Sequence, residues 1–269
     1  MQPFSSTEAV IKLQSVRAGY GNTCVLSVDE LSISSQERVF ILGRSGSGKT
    51  TLSRLIKGRI PVMEGELSVL GESNVISNRD IQRRIAMVDQ DFNLIPRLTL
   101  VENVLTGALG RTSPFRTFLG WYPASEWEKA ESILAEVGLD GLGNRRIDTL
   151  SGGQQQRAAI ARALMQDADI IIADEPVSNL DPELAEDALA LLVACTARRE
   201  VTLLVNLHQP RLARKFATRV LGLADGCIVY DGDPENLSTR DEEFIYRESE
   251  LNPVSKDALS HDTSPAKMA

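Results

Sequence analysis

Gly43-Arg44-Ser45-Gly46-Ser47-Gly48-Lys49-Thr50 sets three glycines, a lysine and a threonine hydroxyl into eight consecutive positions. The order fits G-x-x-x-x-G-K-[ST], the pattern of a loop that wraps phosphate. Its glycines let the backbone turn tightly, so that successive N–H groups point inward at anionic oxygens. A helix opening near Gly48 would add the positive end of its dipole. Lys49 would then reach the β- and γ-phosphates, the Thr50 hydroxyl would ligand Mg²⁺, and Thr51 would follow in the same turn. A Gly/Ser surface loop can meet the same pattern by chance. The apolar run at 39–42 and the helical TLSRLIK run after the loop supply the strand–loop–helix context that the chemistry needs.

Phosphate held in such a loop calls for a metal ligand nearby. Residues 170–173 are apolar and lead into Asp174 and Glu175. Asp174, at the strand end, would hold Mg²⁺ directly or through water. Glu175, aimed elsewhere, would polarise an attacking water as a general base. The two carboxylates could also simply favour a helix start. A third segment, Leu150-Ser151-Gly152-Gly153-Gln154-Gln155-Gln156-Arg157, is a Ser-Gly-Gly turn opening a helix. By itself it is either an anion site or an ordinary N-cap.

The LSGGQ run, lying between the phosphate loop and the apolar Asp-Glu strand, resembles the signature of the ATP-binding-cassette (ABC) ATPases. The likeness runs from about Val10 to Tyr230. It implies an α/β fold: a P-loop NTPase (RecA-like) core with antiparallel β elements and an inserted α-helical subdomain. ATP and Mg²⁺ are the ligands it implies. Tyr20 then resembles the aromatic that stacks on adenine, and Gln90 the glutamine that contacts Mg²⁺ and joins the helical subdomain to the core. Ser178-Asn179-Leu180-Asp181 resembles the family's D-loop, with Asn179 where alanine is more frequent. His208 matches the switch histidine that contacts the γ-phosphate, and Glu175, His208 and Lys49 become the catalytic set. Ser151, Gly152, Gly153 and Gln154 would close over the phosphate loop of a second copy. The implied assembly is a two-fold dimer with nucleotides sandwiched between the copies.

Certain elements must position these groups. The apolar runs at 39–42, 170–173 and 201–207 suit parallel strands buried on both faces. Asp181 followed by Pro182 reads as an N-cap with proline at the first helical position, and Leu184, Ala188, Leu191, Leu192 and Cys195 recur at helical spacing. Residues 91–165 read as a mostly helical insertion. Ser125-Glu126-Trp127-Glu128 is expected to form a capping box, with Trp127, Ala130, Leu134 and Val137 on one face and Gly138 closing the helix. A further helix is expected over 153–165. Asp225-Gly226 sits between two apolar runs, as in a hairpin. The expected division is an ATP-binding core over 10–90 and 166–233, a helical subdomain over 91–165, and an extension over 234–269. Core signals fade beyond about Gly232, and the polar tail from about Asn252 is expected to be disordered.

Composition narrows the role. The 29 basic and 37 acidic residues leave a net charge of −8, which argues against a broad nucleic-acid binder. No apolar stretch is long enough for a bilayer and no signal peptide is expected. Cys24, Cys195 and Cys227 form no CxxC pair, so a structural zinc site is not expected. Phe115, Phe118, Trp121 and Tyr122 cluster among Arg111 and Arg116, as either a brace within the helical region or a docking surface. Together with Val205-Asn206-Leu207-His208-Gln209 they resemble the ATP-binding subunits of phosphonate importers and their phosphite or hypophosphite relatives. That resemblance implies permease partners at the cytoplasmic face of the inner membrane and, indirectly, a substrate-binding protein. The alternatives are a soluble cassette serving a non-transport complex, or an importer of another solute.

Overall fold

The computed structural model describes residues 8–112, 121–178 and 180–247. Among them the strands are β1 (Ala9–Tyr20), β2 (Thr23–Ser34), β3 (Arg38–Leu42), β4 (Val62–Val69), β5 (Ile85–Val88), β6 (Ile170–Asp174), β7 (Thr202–Leu207), β8 (Arg219–Ala224) and β9 (Cys227–Gly232). They make two sheets, an antiparallel one in the order β2-β1-β4 and a six-stranded one in the order β5-β6-β7-β3-β8-β9. In the larger sheet every neighbouring pair is parallel except β8 with β9.

Alternation explains why the larger sheet's strands are apolar at almost every position. Successive side chains point to opposite faces. Val39 and Ile41 of β3 therefore enter one core, while Phe40 and Leu42 enter another. Ile170 and Ile172 of β6 are separated from Ile171 and Ala173 in the same way. One core lies between this sheet, the Lys49–Ile56 helix and the antiparallel sheet, and takes Leu52, Leu55 and Ile56. The other lies under the helices Leu100–Leu105, Ala124–Glu136, Gly152–Met165 and Pro182–Arg198.

β1 has one face toward water and alternates accordingly, with a change of phase in the middle. Ile11 and Leu13 are buried, then Val16 and Ala18. Ser15 takes a left-handed conformation (φ 49°) where the pairing with β4 shifts register between Gln14 and Arg17. One extra residue in the strand returns the apolar side chains to the core.

Several expected features are present. Asp181 accepts a hydrogen bond from the Leu184 N–H at 3.0 Å, and Pro182 opens the helix behind it. Ala188, Leu192 and Cys195 of that helix are buried, whereas Leu184 is exposed. Asp225 and Gly226 both have positive φ, 47° and 79°, and make the two-residue hairpin turn between β8 and β9.

Two expectations are corrected. The Ala124–Glu136 helix begins at Pro123 with no side-chain cap, so Ser125-Glu126-Trp127-Glu128 is not a capping box. Glu126 instead takes both arms of Arg111, at 3.0 and 2.6 Å, a charge-assisted pair stronger than a neutral cap. Trp127, expected on the same face, is exposed, while Ala130, Leu134 and Val137 line the core. The core signals also do not end at Gly232. The Thr239–Tyr246 helix, boxed by Ser238 and Asp241, buries Ile245, and Leu237 is buried before it. The tail beyond Asn252 and the pair Phe115 and Phe118 lie outside the described residues. Among the described residues no helix is long and apolar enough to cross a membrane.

Ile172 is fully buried in the middle of β6. Ile172→Ala should lower stability by about 2–5 kcal/mol through lost burial and a residual cavity. Urea denaturation of the purified chain measures this, and a change near zero would contradict a close-packed β6.

Candidate active site

The site forms where the parallel strands end. β3 runs out at Leu42, and the chain turns through residues 43–48 into the Lys49–Ile56 helix. Gly48 is the N-cap at φ 105°, a conformation that side chains rarely adopt. The hairpin turn supports the loop from outside, because the Gly226 N–H donates to the Ser47 carbonyl at 3.0 Å. Lys49 folds back into its own loop, its ammonium donating to the carbonyls of Gly43 at 2.8 Å and Arg44 at 2.9 Å. The Ser47 hydroxyl is buried there with no hydrogen-bond partner.

β6 and β7 deliver the acidic side. Thr50 donates its hydroxyl to Asp174 Oδ1 at 3.2 Å, joining residues 124 positions apart. Asn206 lies opposite Asp174 in the parallel register. Its side-chain amide donates to Asp174 Oδ1 at 2.6 Å and to Ser53 Oγ at 2.9 Å. Asn206 is fully buried, and these bonds satisfy its amide N–H groups at the end of an apolar strand, while its Oδ1 is buried with no hydrogen-bond partner. Glu175 follows in the left-handed region (φ 51°), and its N–H donates to the Asn206 carbonyl at 3.2 Å. That turn brings the Glu175 carboxylate to 3.8 Å from Lys49 Nζ and 2.5 Å from His208 Nε2. An ionised carboxylate only accepts, so the imidazole proton is assigned to Nε2. Burial pushes the Lys49 ammonium below the usual lysine range, while the Glu175 and then the Asp174 carboxylate pull it back up.

A cavity of about 320 Å³ has Ser45, Gly46, Lys49, Thr50, Gln90 and Glu175 among its walls. Thr51 and Gly48 line it as well. Gln90 reaches it from the exposed turn after β5. That turn is held from the helical side. Arg162, on the Gly152–Met165 helix, donates to the carbonyls of Asn93 at 2.6 Å and Phe92 at 2.7 Å. Phe92 and Asn93 both have positive φ, 57° and 47°.

Other expected site residues stand apart within one chain. Ser151, Gly152, Gly153 and Gln154 open the Gly152–Met165 helix and are not walls of this cavity. Ser151 and Gln154 form a capping box, Ser151 Oγ accepting from the Gln154 N–H at 3.3 Å and Gln154 Oε1 from the Ser151 N–H at 3.0 Å. Tyr20 is 44% exposed, its hydroxyl accepting from Arg54 at 2.9 Å. Asp181 caps its helix, His208 meets the site through Glu175, and Asn179 lies outside the described residues.

The donor set suits Mg²⁺. A hydroxyl and a carboxylate converge, both hard oxygen ligands. Among the described residues no group of three or more His, Cys, Asp or Glu side chains could hold a metal by itself. Two protein oxygens completed by phosphate and water are the usual arrangement for Mg²⁺. The roles of Asn206, Ser53 and Arg162 escaped sequence reasoning. An asparagine interrupting the apolar run at 201–207 was the available sign for Asn206.

Residues 26–178 match the family described as ABC transporter. The "Phosphonates import ATP-binding protein PhnC 2" of Haloarcula marismortui is 40% identical over 225 residues, spanning 81% of this chain and 82% of that protein. Its namesake from Oceanobacillus iheyensis is 42% identical, over 84% and 91% of the two chains. A solved dimeric ATP-binding cassette in a post-hydrolysis state, bound to ADP and Pi, is 32% identical with a TM-score of 0.71, over 83% of this chain and 98% of that one. By sequence, and by the fold that carries its phosphate loop, this chain belongs to the ABC transporter family.

Proposed function

We propose that this chain is the ATP-hydrolysing subunit of an importer for phosphonate or a related reduced-phosphorus oxyanion such as phosphite or hypophosphite. The observation that carries the cargo is the likeness, over four-fifths of the chain, to proteins named for phosphonate import. The same likeness favours import over a soluble cassette in a non-transport complex.

The residues divide the work by chemistry. Backbone N–H groups of residues 43–48 and the Lys49 ammonium bind the phosphates, adding positive charge in a partly dry site. Tyr20 offers its exposed ring to the adenine. Thr50, Asp174 and Gln90 are the residues that would hold Mg²⁺, which when bound neutralises phosphate charge and orients the scissile bond. Glu175 is the general base for water. Its carboxylate is oriented from one side by Lys49 and from the other by His208, which fixes its direction without protonating it. His208 in turn stands ready to contact the γ-phosphate.

The site is half a site in one chain. Ser151, Gly152, Gly153 and Gln154 do not line the chain's own cavity, and in this reading they cap the phosphate loop of a second copy, with Asp181 beside the seam. Residues 10–90 and 166–233 act as the ATP-binding core and 91–165 as the helical arm. Arg162 holds the first turn of the arm, at Phe92 and Asn93, just after the core segment ends at Gln90. Exposed Ile95, Leu109 and Trp121 on that arm suit docking against permease subunits at the cytoplasmic face of the membrane. A substrate-binding protein would present the cargo from the other side.

Three measurements test this reading. Glu175→Gln should keep ATP binding while hydrolysis falls by about 10²–10⁴, the worth of a positioned general base. Isothermal titration paired with phosphate release reads both quantities, and undiminished turnover removes Glu175 from the role. Asn206→Leu leaves the Asp174 carboxylate without its amide donor. The Mg²⁺ concentration for half-maximal nucleotide binding should rise about tenfold or more, with binding in EDTA unchanged. For the cargo, a deletion strain is grown on a phosphonate, phosphite or hypophosphite as sole phosphorus source. Growth lost on one of these, and restored by the wild type but not by Glu175→Gln, identifies the cargo. Growth on all three without the gene rejects it.

A further inference from the structure

The C-terminal helix ends against the two loops that handle phosphate. Its docking is specific. Ile245 lies on Gly222 of β8, and a Cβ at Gly222 would stand 2.4 Å from Ile245 Cδ1, so a side chain there would displace Ile245 from its seat. Arg214, on the Pro210–Phe216 helix that directly follows His208, donates to the Leu237 carbonyl at 2.7 Å and pairs with Glu242. The helix is thereby held against β8 and β9.

Two hydrogen bonds from that turn reach the site. The Tyr246 hydroxyl donates to the His208 carbonyl at 3.1 Å. Arg44 of the phosphate loop donates to the Arg247 carbonyl at 3.1 Å. The phenol oxygen also faces the Gly43 backbone N–H, and burial pushes its pKa up to about 12, so it remains a proton donor at any physiological pH. The His208 main chain and the first residues of the phosphate loop, more than 160 positions apart, are thus tied through one short helix.

We propose that Tyr246 is a positioning residue: its hydroxyl holds the His208 backbone against the start of the phosphate loop and so sets how His208 meets the γ-phosphate. The inference rests on the ATPase reading above, but not on the cargo. A carbonyl pinned in place limits the imidazole to small excursions about the side-chain torsions, so His208 is already aimed when nucleotide arrives. Without the pin, the loop after β7 must be ordered during the reaction instead of before it.

Tyr246→Phe in the full chain removes the donor and keeps the ring. With one hydrogen bond lost, kcat for ATP should fall by about 3- to 10-fold while KM changes by less than about 2-fold. A role in holding the fold alone would lower the melting temperature, so that temperature is measured in parallel and should stay within about 3 °C of wild type. The chain contains two histidines. The His208 ring resonances can therefore be followed by NMR, with His261→Gln for assignment. A non-hydrolysable ATP analogue should shift them in the wild type and broaden or shift them less in Tyr246→Phe. Ile245→Ala, which loosens the helix without touching the phenol, should move kcat in the same direction. Unchanged kcat and unchanged His208 shifts in a folded Tyr246→Phe protein overturn the proposal. So does a loss that appears equally in kcat, KM and melting temperature. A wild-type chain that binds no ATP instead overturns the reading beneath it.

Discussion

Covering the central sheet on both faces is the constraint on which the rest depends. A strand buried on two sides has no interior position for a charge. Polar chemistry is therefore expelled to the strand ends, where loops leave the sheet. Gly43 follows β3, Asp174 closes β6, and Asn206 and His208 stand at and just beyond the end of β7. The site is assembled at one edge because the core excludes it everywhere else. The same alternation that fills two cores brings groups from distant parts of the chain to within hydrogen-bonding distance.

The charges at that edge balance one another closely. Lys49 is buried and disfavoured as an ammonium, yet two carboxylates and two loop carbonyls surround it. Asp174 is offset by the Thr50 hydroxyl and the Asn206 amide, Glu175 by Lys49 and His208. For a polyphosphate bound as proposed, these groups are already oriented, which is how electrostatic preorganisation lowers a barrier without reorganisation at the moment of reaction. The left-handed Glu175 belongs to the same arrangement. A residue continuing the β6 direction would carry its carboxylate away from Lys49. A backbone conformation of this kind costs of order 1–3 kcal/mol and persists because its neighbours over-determine it.

Peripheral elements act on the site through backbone carbonyls. Arg162 holds the turn after Gln90 from the helical arm, and Tyr246 and Arg44 join the Thr239–Tyr246 helix to the loops that follow β7 and β3. Each link connects a loop to a helix anchored by buried side chains.

Local rules made much of this readable in the linear chain. Glycine spacing in the phosphate loop, the apolar run ending in Asp174-Glu175, the Ser-Gly-Gly helix start, the Asp181 cap and the Asp225-Gly226 turn all act over a few residues. Backbone conformation and helix capping are settled at that range. What the tertiary structure alone decided lies at long separation. Nothing near Ser125 shows that Glu126 will be taken by Arg111, or that Pro123 will start the helix uncapped. Nothing near Ile245 reveals the bare Gly222 that receives it, so a segment with few apolar residues looked like the end of the core. Asn206 stands in an apolar run with its partners 32 and 153 positions away, and Tyr246 finds His208 across 38. A hydrogen bond of that kind depends on strand order and register, which the pattern of any single strand leaves open.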